Sequence, residues 1–490
     1  MASNNAKRTN ILFILSDDHG AWAMGNAGNP EVITPNLDRL AEEGVRFSDF
    51  FCASPVCSPA RASLVTGRIP SQHGIHDWLR EGNTGADAVE FLEEQLSYTE
   101  VLAQAGYSCG LSGKWHLGRS LKPQKGFTDW YAHQGGGGPY LKPPMVRDGA
   151  AIQDEGYVTG LITDKALQLI NKYTEDKPDQ PFYISVHYTA PHTPWDQDQH
   201  PPEIWQLYEN CPFTATPEEE PHPWQINSCP HGQGETRKKL LRGYYTAITA
   251  MDYNIGRIID RLDELGLREN TLIIYTSDNG MNLGHHGLWG KGNASFPQNM
   301  YDTSVKVPFI ASQPGRIPQA AVCGELVSAY DFMPTLLDYA GVDYEHAAAL
   351  PGRSFAPLLY GAAAEADQYV VVHDEYGPVR MIRTREWKYV HRYPYGPHEL
   401  YDLAADPDES RNLLADDAGG TNSEAAAVRL ERTKQLKAML EHWFHQYADP
   451  AIDGVREPVS GSGQLYWAGV RAHGVQAFAG LNPAHSAPKP

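Results

Sequence analysis

The stretch NILFILSDD at residues 10–18 decides the fold class that the sequence predicts. Its apolar run, 10–15, shows no alternation of polar and apolar residues, which is typical of a parallel strand buried on both faces. In open α/β sheets, ligands bind beyond the carboxyl ends of the strands, so Asp17 and Asp18 are well placed for a site. Because adjacent carboxylates repel each other unless a cation or hydrogen-bond donors neutralise them, we interpret the pair as metal ligands rather than as a solvated loop.

A second strand of this kind ends in the same way. TLIIYTSDNG at residues 271–280 is a β-rich apolar run that stops at Asp278 and Asn279. Similar patterns predict further strands within 107–115, 181–195 and 307–312, and helices at 34–44, 99–106, 164–173 and 238–265. Alternating strands and helices indicate an α/β fold, with a large, mainly parallel sheet sandwiched by helices.

The helix predicted at 34–44 carries signals at both of its ends. Thr34 stands at the N-cap position, Pro35 at the first helical position and Gly44 just beyond the last turn, so we expect the Thr34 side chain to cap the helix.

Two other segments lack such helix signals. Residues 119–160, rich in glycine, proline and aromatic residues, predict an irregular insertion at the rim of the site, and 196–236 predict a long surface loop.

Length and composition are those of an ordinary globular protein. The chain has 490 residues, of which 41% are hydrophobic and 20% are charged, and its net charge is −20. So negative a charge argues against a nucleic-acid partner or an anionic membrane surface. The first apolar run is too short for a signal peptide, and no stretch approaches transmembrane length. We therefore expect a cytoplasmic protein without a membrane partner, or a periplasmic or secreted one if a signal has been removed.

Changes in the sequence pattern divide the chain into three predicted parts. Residues 1–365 form the N-terminal α/β domain that carries the site, and 366–450 form a smaller subdomain made of an antiparallel sheet and a helix. Residues 451–490 form a tail without periodicity, which we expect to wrap the body or to contact a neighbouring subunit of an oligomer. The six cysteines show no zinc-type spacing, although Cys211 and Cys229 flank a loop and could pair.

The segment CSPARASLVTGR at residues 57–68 places a cysteine at the start of a predicted helix. Pro59 fits the first helical turn and Gly67 ends the helix. Backbone N–H groups and the helix dipole favour an anion at such an N-terminus. On these grounds Cys57 is either an activated thiolate or anion-site residue, or a buried structural cysteine.

The oxygen ligands at the strand ends suit a hard cation. The carboxylates of Asp17, Asp18 and Asp278, with the side-chain carbonyl of Asn279, favour Ca²⁺ or Mg²⁺ over zinc. Basic side chains follow other predicted strands or belong to the Cys57 helix, namely Arg61, Lys114, His116, His192 and Lys291. Since cations beside a divalent metal need anions to stabilise them, this set makes physical sense around a tetrahedral oxyanion such as sulfate or phosphate.

Several motifs together resemble those of the cysteine-type sulfatases of the alkaline phosphatase superfamily. The pattern Cys57-x-Pro59-x-Arg61 looks like the signature of that family. The other motifs follow in the family's order over most of the chain: ILFILSDDHG at 11–20, GKWHLG at 113–118, APHTP at 190–194, SDNG at 277–280, GLWGKG at 287–292 and WKYVHRYPYGPHELYDLAADPDESRNL at 387–413. The resemblance implies an alkaline-phosphatase-like fold and a sulfuric ester hydrolase.

The resemblance also implies a modified nucleophile and a metal. Cys57 matches the cysteine that a formylglycine-generating enzyme oxidises to formylglycine (3-oxoalanine), whose hydrate attacks the sulfur atom of the ester. Arg61 would support that hydrate. The metal is usually calcium in the family, with magnesium as the alternative, and its matching ligands are Asp17, Asp18, Cys57 in its modified form, Asp278 and Asn279.

The remaining matches concern proton transfer and binding of the sulfate. Lys114 and His116 match the residues that hold and deprotonate the hydrate. His192 and Lys291 match those on the side of the leaving group, where the departing alcohol is protonated. His187 does not lie at a position that the family uses, so it receives no role.

The substrate is less well defined than the chemistry. Aromatic, histidine, aspartate and arginine side chains near the motifs could form a sugar-binding rim, because pyranose rings stack on tryptophan while polar groups bind hydroxyls. The candidates are Asp77, Trp78, Arg80, His133, Trp195, His285 and His286. A sulfate ester of a carbohydrate is the expected substrate, as a small molecule or an oligosaccharide. The alternative for Trp78, as for Trp289, is that the side chain is simply packed. An arylsulfatase of broad specificity, a phosphonate or phosphate diester hydrolase, and an inactive protein that binds sulfated glycans are the other possibilities.

Overall fold

The computed structural model describes residues 8–80, 84–85, 88–345, 349–363, 369–374, 378–415, 423–455, 463–464 and 466–468. Within these ranges, none of the helices combines the length and the apolar character that crossing a membrane requires. The strands, in chain order, are β1 (Asn10–Ser16), β2 (Val45–Phe47), β3 (Phe50–Phe51), β4 (Ser108–Lys114), β5 (Asp129–His133), β6 (Pro144–Arg147), β7 (Ala150–Gln153), β8 (Phe182–His187), β9 (Thr271–Ser277), β10 (Asn282–Leu283), β11 (Trp289–Gly290), β12 (Phe309–Ser312), β13 (Ala321–Cys323), β14 (Val327–Ser328), β15 (Tyr369–Asp374), β16 (Val379–Thr384), β17 (Trp387–Arg392) and β18 (Glu399–Asp402).

The α-helices are, in chain order, α1 (Pro35–Glu42), α2 (Cys57–Thr66), α3 (Pro70–His73), α4 (Tyr98–Gln104), α5 (Val158–Asp176), α6 (Pro202–Leu207), α7 (Gly234–Glu264), α8 (Asp302–Val305), α9 (Phe332–Ala340), α10 (Ala356–Leu359) and α11 (Ser423–Tyr447).

Strand β1 lies near the middle of the main sheet, and all of its residues are buried. Its side chains alternate between two apolar cores, because successive residues of a strand point to opposite faces. Phe13 belongs to the core that includes side chains of α2, α4 and α9, whereas Leu12 and Ile14 pack with side chains of α1, α5 and α7. The apolar run is continuous because helices cover both faces of the strand.

The main sheet has ten strands in the spatial order β13-β2-β12-β9-β1-β8-β4-β5-β6-β7. Its five central strands, from β9 to β5, run parallel to one another, which confirms the predicted α/β fold. Strand β12 runs antiparallel to both of its neighbours, and β6 and β7 are antiparallel as well. The sheet is therefore parallel at its centre and mixed towards its edges.

The segment 119–160 differs from the irregular insertion that the sequence predicts. It contains β5, β6 and β7, which extend the main sheet to its edge. Strand β7 has no buried residue, because an edge strand is covered on fewer sides. Its apolar stretch, Ala150 to Ile152, is too short for the sequence pattern to reveal a strand. The glycine run at 135–138 lies in the connection between β5 and β6.

Helix α1 begins at the predicted position but is capped by a different residue. The side chain of Thr34 makes no capping hydrogen bond. Instead, the Asp252 carboxylate of α7 accepts hydrogen bonds from the backbone N–H groups of Asn36 at 3.1 Å and Leu37 at 2.7 Å. A carboxylate from a distant helix thus satisfies N–H groups that the first turn of α1 cannot pair internally.

A smaller antiparallel sheet of β15 to β18 lies in the C-terminal part, as predicted. Helix α11 contributes Leu440 and Phe444 to the same apolar core as this sheet. The sheet joins the larger unit through a buried ion pair, in which Lys388 Nζ lies 2.6 Å from Asp302 Oδ1. The boundaries proposed at residues 365 and 450 stay a prediction. Cys211 and Cys229, which the sequence suggested as a pair, are both free thiols.

Candidate active site

Three carboxylates meet where β1 and β9 end. The parallel register of these strands aligns their carboxyl ends. One oxygen each of Asp17, Asp18 and Asp278, here called the acidic cluster, lies within 4.8 Å of the other two, and all three residues are buried. Asn279 joins them, since its Nδ2 donates a hydrogen bond to Asp18 Oδ1 at 2.8 Å. The structure thus brings four of the predicted metal ligands together, whereas the Cys57 sulfur does not belong to the acidic cluster.

Each carboxylate of the acidic cluster is paired with its own basic side chain. Lys114 Nζ lies 2.5 Å from Asp17 Oδ2, Lys291 Nζ lies 2.6 Å from Asp18 Oδ1, and Arg61 Nε lies 2.9 Å from Asp278 Oδ2. The three basic residues come from the end of β4, from the loop after β11 and from α2. Charges of both signs are therefore concentrated in one buried place, as the sequence predicts for an oxyanion site.

Burial and neighbouring charges shift the pKa values of the carboxylates in the acidic cluster. Burial, reinforced by the charge of Asp278, raises the pKa of Asp17 well above its usual range. Burial acts on Asp18 in the same direction, but the charges of Lys291 and His192 outweigh it and hold the pKa of Asp18 below its usual range. A divalent cation would favour the ionised form of every carboxylate in the cluster.

Two buried oxygens at this place have no hydrogen-bond partner among the residues that the structure describes. They are Asp17 Oδ1 and Asn279 Oδ1. A buried polar atom left unpaired costs about 1–3 kcal/mol, which coordination of a cation would recover. Carboxylate and amide oxygens are the ligands that Ca²⁺ and Mg²⁺ prefer. The residues present therefore fit a hard divalent cation.

Cys57 is the first residue of α2 and lies beside this cluster. The helix ends at Gly67, whose φ of 65° is in the left-handed region, as predicted. Cys57 is buried, with 4% of its surface exposed. Burial alone would lower the pKa of Lys291, but the charge of Asp18 outweighs it and raises the pKa. Arg61, one helical turn after Cys57, bonds Asp278, so the first turn of α2 lies against the acidic cluster.

His116 is held as a neutral imidazole with one free nitrogen. Its Nε2 lies 2.8 Å from the backbone oxygen of Leu79, and Nε2 carries the proton because a carbonyl only accepts. Its Nδ1 is buried and has no hydrogen-bond partner in the described part of the chain. Burial, reinforced by the charge of Lys114, lowers the pKa of His116 well below its usual value. The backbone φ of 57° shows that this placement costs conformational energy. Nδ1 can thus accept a proton.

His192 also lies beside the acidic cluster. Its Nδ1 donates to the backbone oxygen of Thr193 at 2.8 Å, and its Nε2 lies 3.8 Å from Asp18 Oδ2. Burial lowers the pKa of His192 to about 4. The backbone oxygen of His192 accepts a hydrogen bond from the Tyr140 hydroxyl at 2.7 Å. Nε2 is therefore the nitrogen that can exchange a proton here.

Three of the residues predicted for a sugar-binding rim are buried. Trp195 lies in an apolar core with 2% of its surface exposed. Asp77 is fully buried, and its Oδ2 accepts a hydrogen bond from the backbone N–H of Gly463 at 2.9 Å. The Nδ1 of His133 bonds to the backbone of Gly135. Trp195 and Asp77 can support a rim from below, but they lie too deep to form one.

The four other rim candidates are partly exposed: Trp78, Arg80, His285 and His286. His285 packs against Trp22 with ring centroids 4.6 Å apart, and His286 stacks on Tyr301 at 3.7 Å. Their contact with a substrate stays a prediction.

Sequence reasoning missed three residues that shape the site. The Tyr244 hydroxyl donates to the backbone oxygen of Asp18 at 2.8 Å, although Tyr244 looks in the sequence like any core residue of an amphipathic helix. The backbones of Gly136 and Gly137 pack against histidine rings of the site. Their signal was the unusual run of four glycines.

Comparisons with known proteins agree with this geometry. The family model described as Sulfatase matches residues 9–342, and the model of the C-terminal region of N-sulphoglucosamine sulphohydrolase matches residues 284–439. An N-acetylglucosamine-6-O-sulfatase of Bacteroides thetaiotaomicron is 28% identical over 90% of this chain and 87% of that protein. Human arylsulfatase A is 31% identical over 89% of each chain.

A solved structure extends the similarity to the fold. It shows a protein in complex with its substrate D-glucosamine-2-N,6-O-disulfate, and its TM-score to this chain is 0.76 at 26% identity, covering 92% of this chain and 100% of the other. The family match spans more than half of the chain and includes every residue of the acidic cluster and of its three cations. The chain therefore belongs to the sulfatases of the alkaline phosphatase superfamily.

Proposed function

We propose that this sulfuric ester hydrolase acts on a carbohydrate sulfate, with a nucleophile derived from Cys57 and a Ca²⁺ ion held by the acidic cluster. The observation that carries the proposal is the pairing of each buried carboxylate with its own cation, directly beside a helix N-terminus that begins at Cys57. Since the three basic side chains already balance the three carboxylates, a bound dication leaves a positive charge at the site, which favours a tetrahedral anion.

The family implies a metal ion and a formylglycine residue. When present, the metal polarises the sulfate group, and the formylglycine formed at Cys57 supplies the attacking hydroxyl as its hydrate. Asp17, Asp18, Asp278 and Asn279 would hold the metal. We favour Ca²⁺ over Mg²⁺ because Ca²⁺ tolerates irregular sets of oxygen ligands. A formylglycine-generating enzyme is then the partner that maturation requires.

Arg61 and Lys114 supply fixed positive charge next to position 57. The Nη1 of Arg61 donates to the backbone oxygen of Lys114 at 3.0 Å while its Nε bonds Asp278, so the guanidinium cannot rotate freely. Its Nη2 has no hydrogen-bond partner among the described residues. This remaining donor is available to an anionic oxygen, and a preorganised donor costs no reorganisation during the reaction.

His116 is the proton acceptor for the group at position 57. Its tautomer is fixed because Nε2–H remains bonded to the Leu79 carbonyl, which leaves the lone pair on Nδ1. The neutral form that burial and Lys114 enforce is the form that can take a proton.

Lys291 and His192 serve the leaving group. Lys291 keeps its proton, because the charge of Asp18 outweighs burial and raises the pKa of Lys291. A bound sulfate ester brings negative charge to the site, which favours the protonated form of His192. We place the departing alcohol oxygen between His192 Nε2 and Lys291 Nζ, which would deliver the proton.

The substrate class is proposed from the relatives. One is named for N-acetylglucosamine-6-O-sulfate hydrolysis, and the solved complex holds a disulfated glucosamine. The partly exposed Trp78, Arg80, His285 and His286 are the side chains that we propose to contact the sugar.

Production of the chain with and without a formylglycine-generating enzyme tests the proposal. The Cys57 peptide of the first preparation should show the mass change from thiol to aldehyde, and only this preparation should release sulfate from 6-O-sulfated N-acetylglucosamine. Cys57→Ala should be inactive in both preparations. Cys323→Ala, on the edge strand β13, is the matched control and should behave as the unsubstituted chain.

Other outcomes would each contradict one part of the proposal. Sulfate release with Cys57 wholly unmodified would exclude the proposed nucleophile. Faster hydrolysis of a phosphate diester or a phosphonate monoester would identify the other kind of hydrolase. Binding of sulfated glycans without turnover by fully converted protein would show a binding protein.

A further inference from the structure

The backbone of a glycine-rich connection lies directly on the histidine rings of the site. A Cβ added at Gly136 would lie 2.2 Å from His116 Cε1, and one added at Gly137 would lie 2.8 Å from His192 Cε1. At Gly135 a Cβ would have no atom within 4 Å. None of these three glycines has a positive φ, so space and not backbone conformation requires glycine at the two contact positions.

Residues 134–140, here called the glycine strap, are anchored at their beginning. The backbone N–H of Gln134 donates to Pro144 O at 2.9 Å. The Gln134 side-chain amide donates to Met145 O and to Ile152 O, each at 2.9 Å. Three hydrogen bonds to β6 and β7 therefore fix the start of the glycine strap on the edge of the main sheet.

Tyr140 anchors the other end of the glycine strap. It is buried, its ring stacks on that of Tyr157 at 5.5 Å, and its backbone N–H donates to Gln199 Oε1 at 3.1 Å. Its hydroxyl donates to the backbone oxygen of His192 at 2.7 Å. Because both ends are tied, the strap cannot move away from the histidines without breaking these partly buried hydrogen bonds.

Each histidine is also held from a second direction. His116 Nε2 bonds Leu79 O, and His192 Nδ1 bonds Thr193 O, each at 2.8 Å. One carbonyl and one glycine backbone thus confine each ring. In each ring one nitrogen is left to exchange a proton, which is Nδ1 in His116 and Nε2 in His192.

We propose that Gly136 and Gly137 are positioning residues, which fix the imidazoles of His116 and His192 at the angle that proton transfer needs. The inference rests on the roles proposed above for these two histidines. It assigns a function to the glycine run that the metal site and the nucleophile do not explain. A side chain at either position must displace a ring or the anchored strap, and misplacement of a catalytic group by about 1 Å costs up to about 100-fold in rate.

Three alanine variants distinguish the effect of contact with a histidine ring from the effect of replacing a glycine as such. Gly136→Ala and Gly137→Ala place a methyl group against His116 and His192, and Gly135→Ala adds the same methyl group in open space. We expect Gly135→Ala to keep the kcat of the unsubstituted enzyme, and the two other variants to lose about 10- to 100-fold in kcat with little change in KM. Melting temperatures measured in parallel show whether each variant is folded.

The rings themselves supply a readout that does not depend on turnover. In protein labelled with ¹³C-histidine, the Cε1–Hε1 cross-peaks of His116 and His192 can be assigned by their loss in His116→Asn and His192→Asn. Gly136→Ala should shift the His116 cross-peak and Gly137→Ala that of His192. Tyr140→Phe, which removes only the hydroxyl bond to His192 O, should shift the His192 cross-peak alone and serves as a second test if an alanine variant does not fold.

The outcomes distinguish this inference from the proposed function. Shifted cross-peaks with unchanged kcat would overturn the positioning role while leaving the sulfatase proposal intact. Cross-peaks and kcat that match those of Gly135→Ala in both contact variants would also overturn it. If no sulfate ester is hydrolysed by any form of the protein, the proposed function fails, while the cross-peaks still report whether the strap sets the rings.

Discussion

Lys291 shows how one side chain meets two opposing needs of the active site. Its Nζ lies 2.6 Å from Asp18 Oδ1, so it balances a buried carboxylate. A metal ion bound by the acidic cluster would share Asp18 with this ammonium group, and the two positive charges would repel each other. In the proposed function, Lys291 would therefore lower the affinity for the metal, while the same charge would favour binding of an anionic ester and protonation of its leaving group.

Lys291→Met should separate these two effects. Removal of the ammonium group lowers the repulsion in the metal site, so we expect affinity for Ca²⁺ to rise. Turnover should fall about 10²- to 10³-fold, as for other preorganised donors in active sites. Calorimetric titration with Ca²⁺ and kcat on the converted enzyme measure the two quantities.

Lys239→Met is the matched control, because Lys239 pairs with Asp196 at the surface, with 57% of its side chain exposed. It should change neither quantity. A parallel loss of Ca²⁺ affinity and turnover in Lys291→Met would contradict the opposing roles and would indicate that the lysine only maintains the shape of the site.

At the scale of residues, the sequence predicts those that follow strands. Asp17 and Asp278 were found because a buried apolar run stops at each of them, and parallel strands end at the same edge. Tyr244 was not found, because its hydroxyl reaches the backbone of Asp18 from a helix more than two hundred positions away. Hydrogen bonds between residues so far apart along the chain leave no local sequence pattern.

Helices α1 and α7 are joined by a cap that belongs to both. The Asp252 carboxylate on α7 accepts hydrogen bonds from Asn36 N, Asn36 Nδ2 and Leu37 N at the start of α1. Burial outweighs these hydrogen bonds and raises the pKa of Asp252 to about 6. The sequence located the start of α1 correctly but assigned the cap to Thr34, since local motifs show only caps within one segment.

Because its pKa is raised, the contribution of Asp252 to the free energy of unfolding should decrease as the pH rises. The folded protein holds the Asp252 proton more tightly than the unfolded chain, in which the pKa is about 3.9. Its contribution is therefore complete below about pH 4 and is lost as the pH rises through about 6, by up to about 3 kcal/mol. Asp252→Asn removes this titration, so its melting temperature relative to that of the unsubstituted protein should rise between pH 4 and pH 7.5.

Asp260→Asn on the same helix controls for the change of charge, because Asp260 is exposed. Its melting temperature relative to the unsubstituted protein should show no step near pH 6. If the difference in melting temperature between Asp252→Asn and the unsubstituted protein is constant from pH 4 to pH 7.5, burial does not raise the pKa of Asp252 and the prediction is wrong.

At the scale of the whole molecule, Gln464 of the C-terminal tail bonds to a loop beside the active site. The sequence predicts that the tail wraps the body or contacts a neighbouring subunit, and the described tail residues bond to the loop 74–80 of the same chain. Gln464 Oε1 accepts from His76 N at 2.8 Å, and Gln464 Nε2 donates to Gly74 O at 2.8 Å. Gln464 N also donates to Trp78 O at 2.8 Å. The target of the tail could not be predicted, because neither segment has a periodic pattern.

The loop 74–80 connects this tail to two parts of the site. Leu79 O accepts the hydrogen bond that fixes the tautomer of His116, and Leu79 N donates to Ser58 Oγ, next to Cys57, at 3.1 Å. The tail therefore supports His116 and the start of α2 through a single loop. Since Gln464 is fully buried, its amide has no water to replace a lost partner.

Gln464→Ala should loosen this loop and slow turnover. The change removes the side-chain oxygen that accepts hydrogen bonds from the buried N–H groups of His76 and Asp77, which costs about 1–3 kcal/mol for each bond. We expect faster amide hydrogen exchange in peptides that cover 74–80, and a kcat that falls more than KM changes, because His116 loses its fixed partner. Gln446→Ala, an exposed position of α11, is the matched control and should change neither exchange nor kcat. Faster exchange confined to the tail, with kcat and the loop unchanged, would show that the tail only covers the surface and does not hold the site.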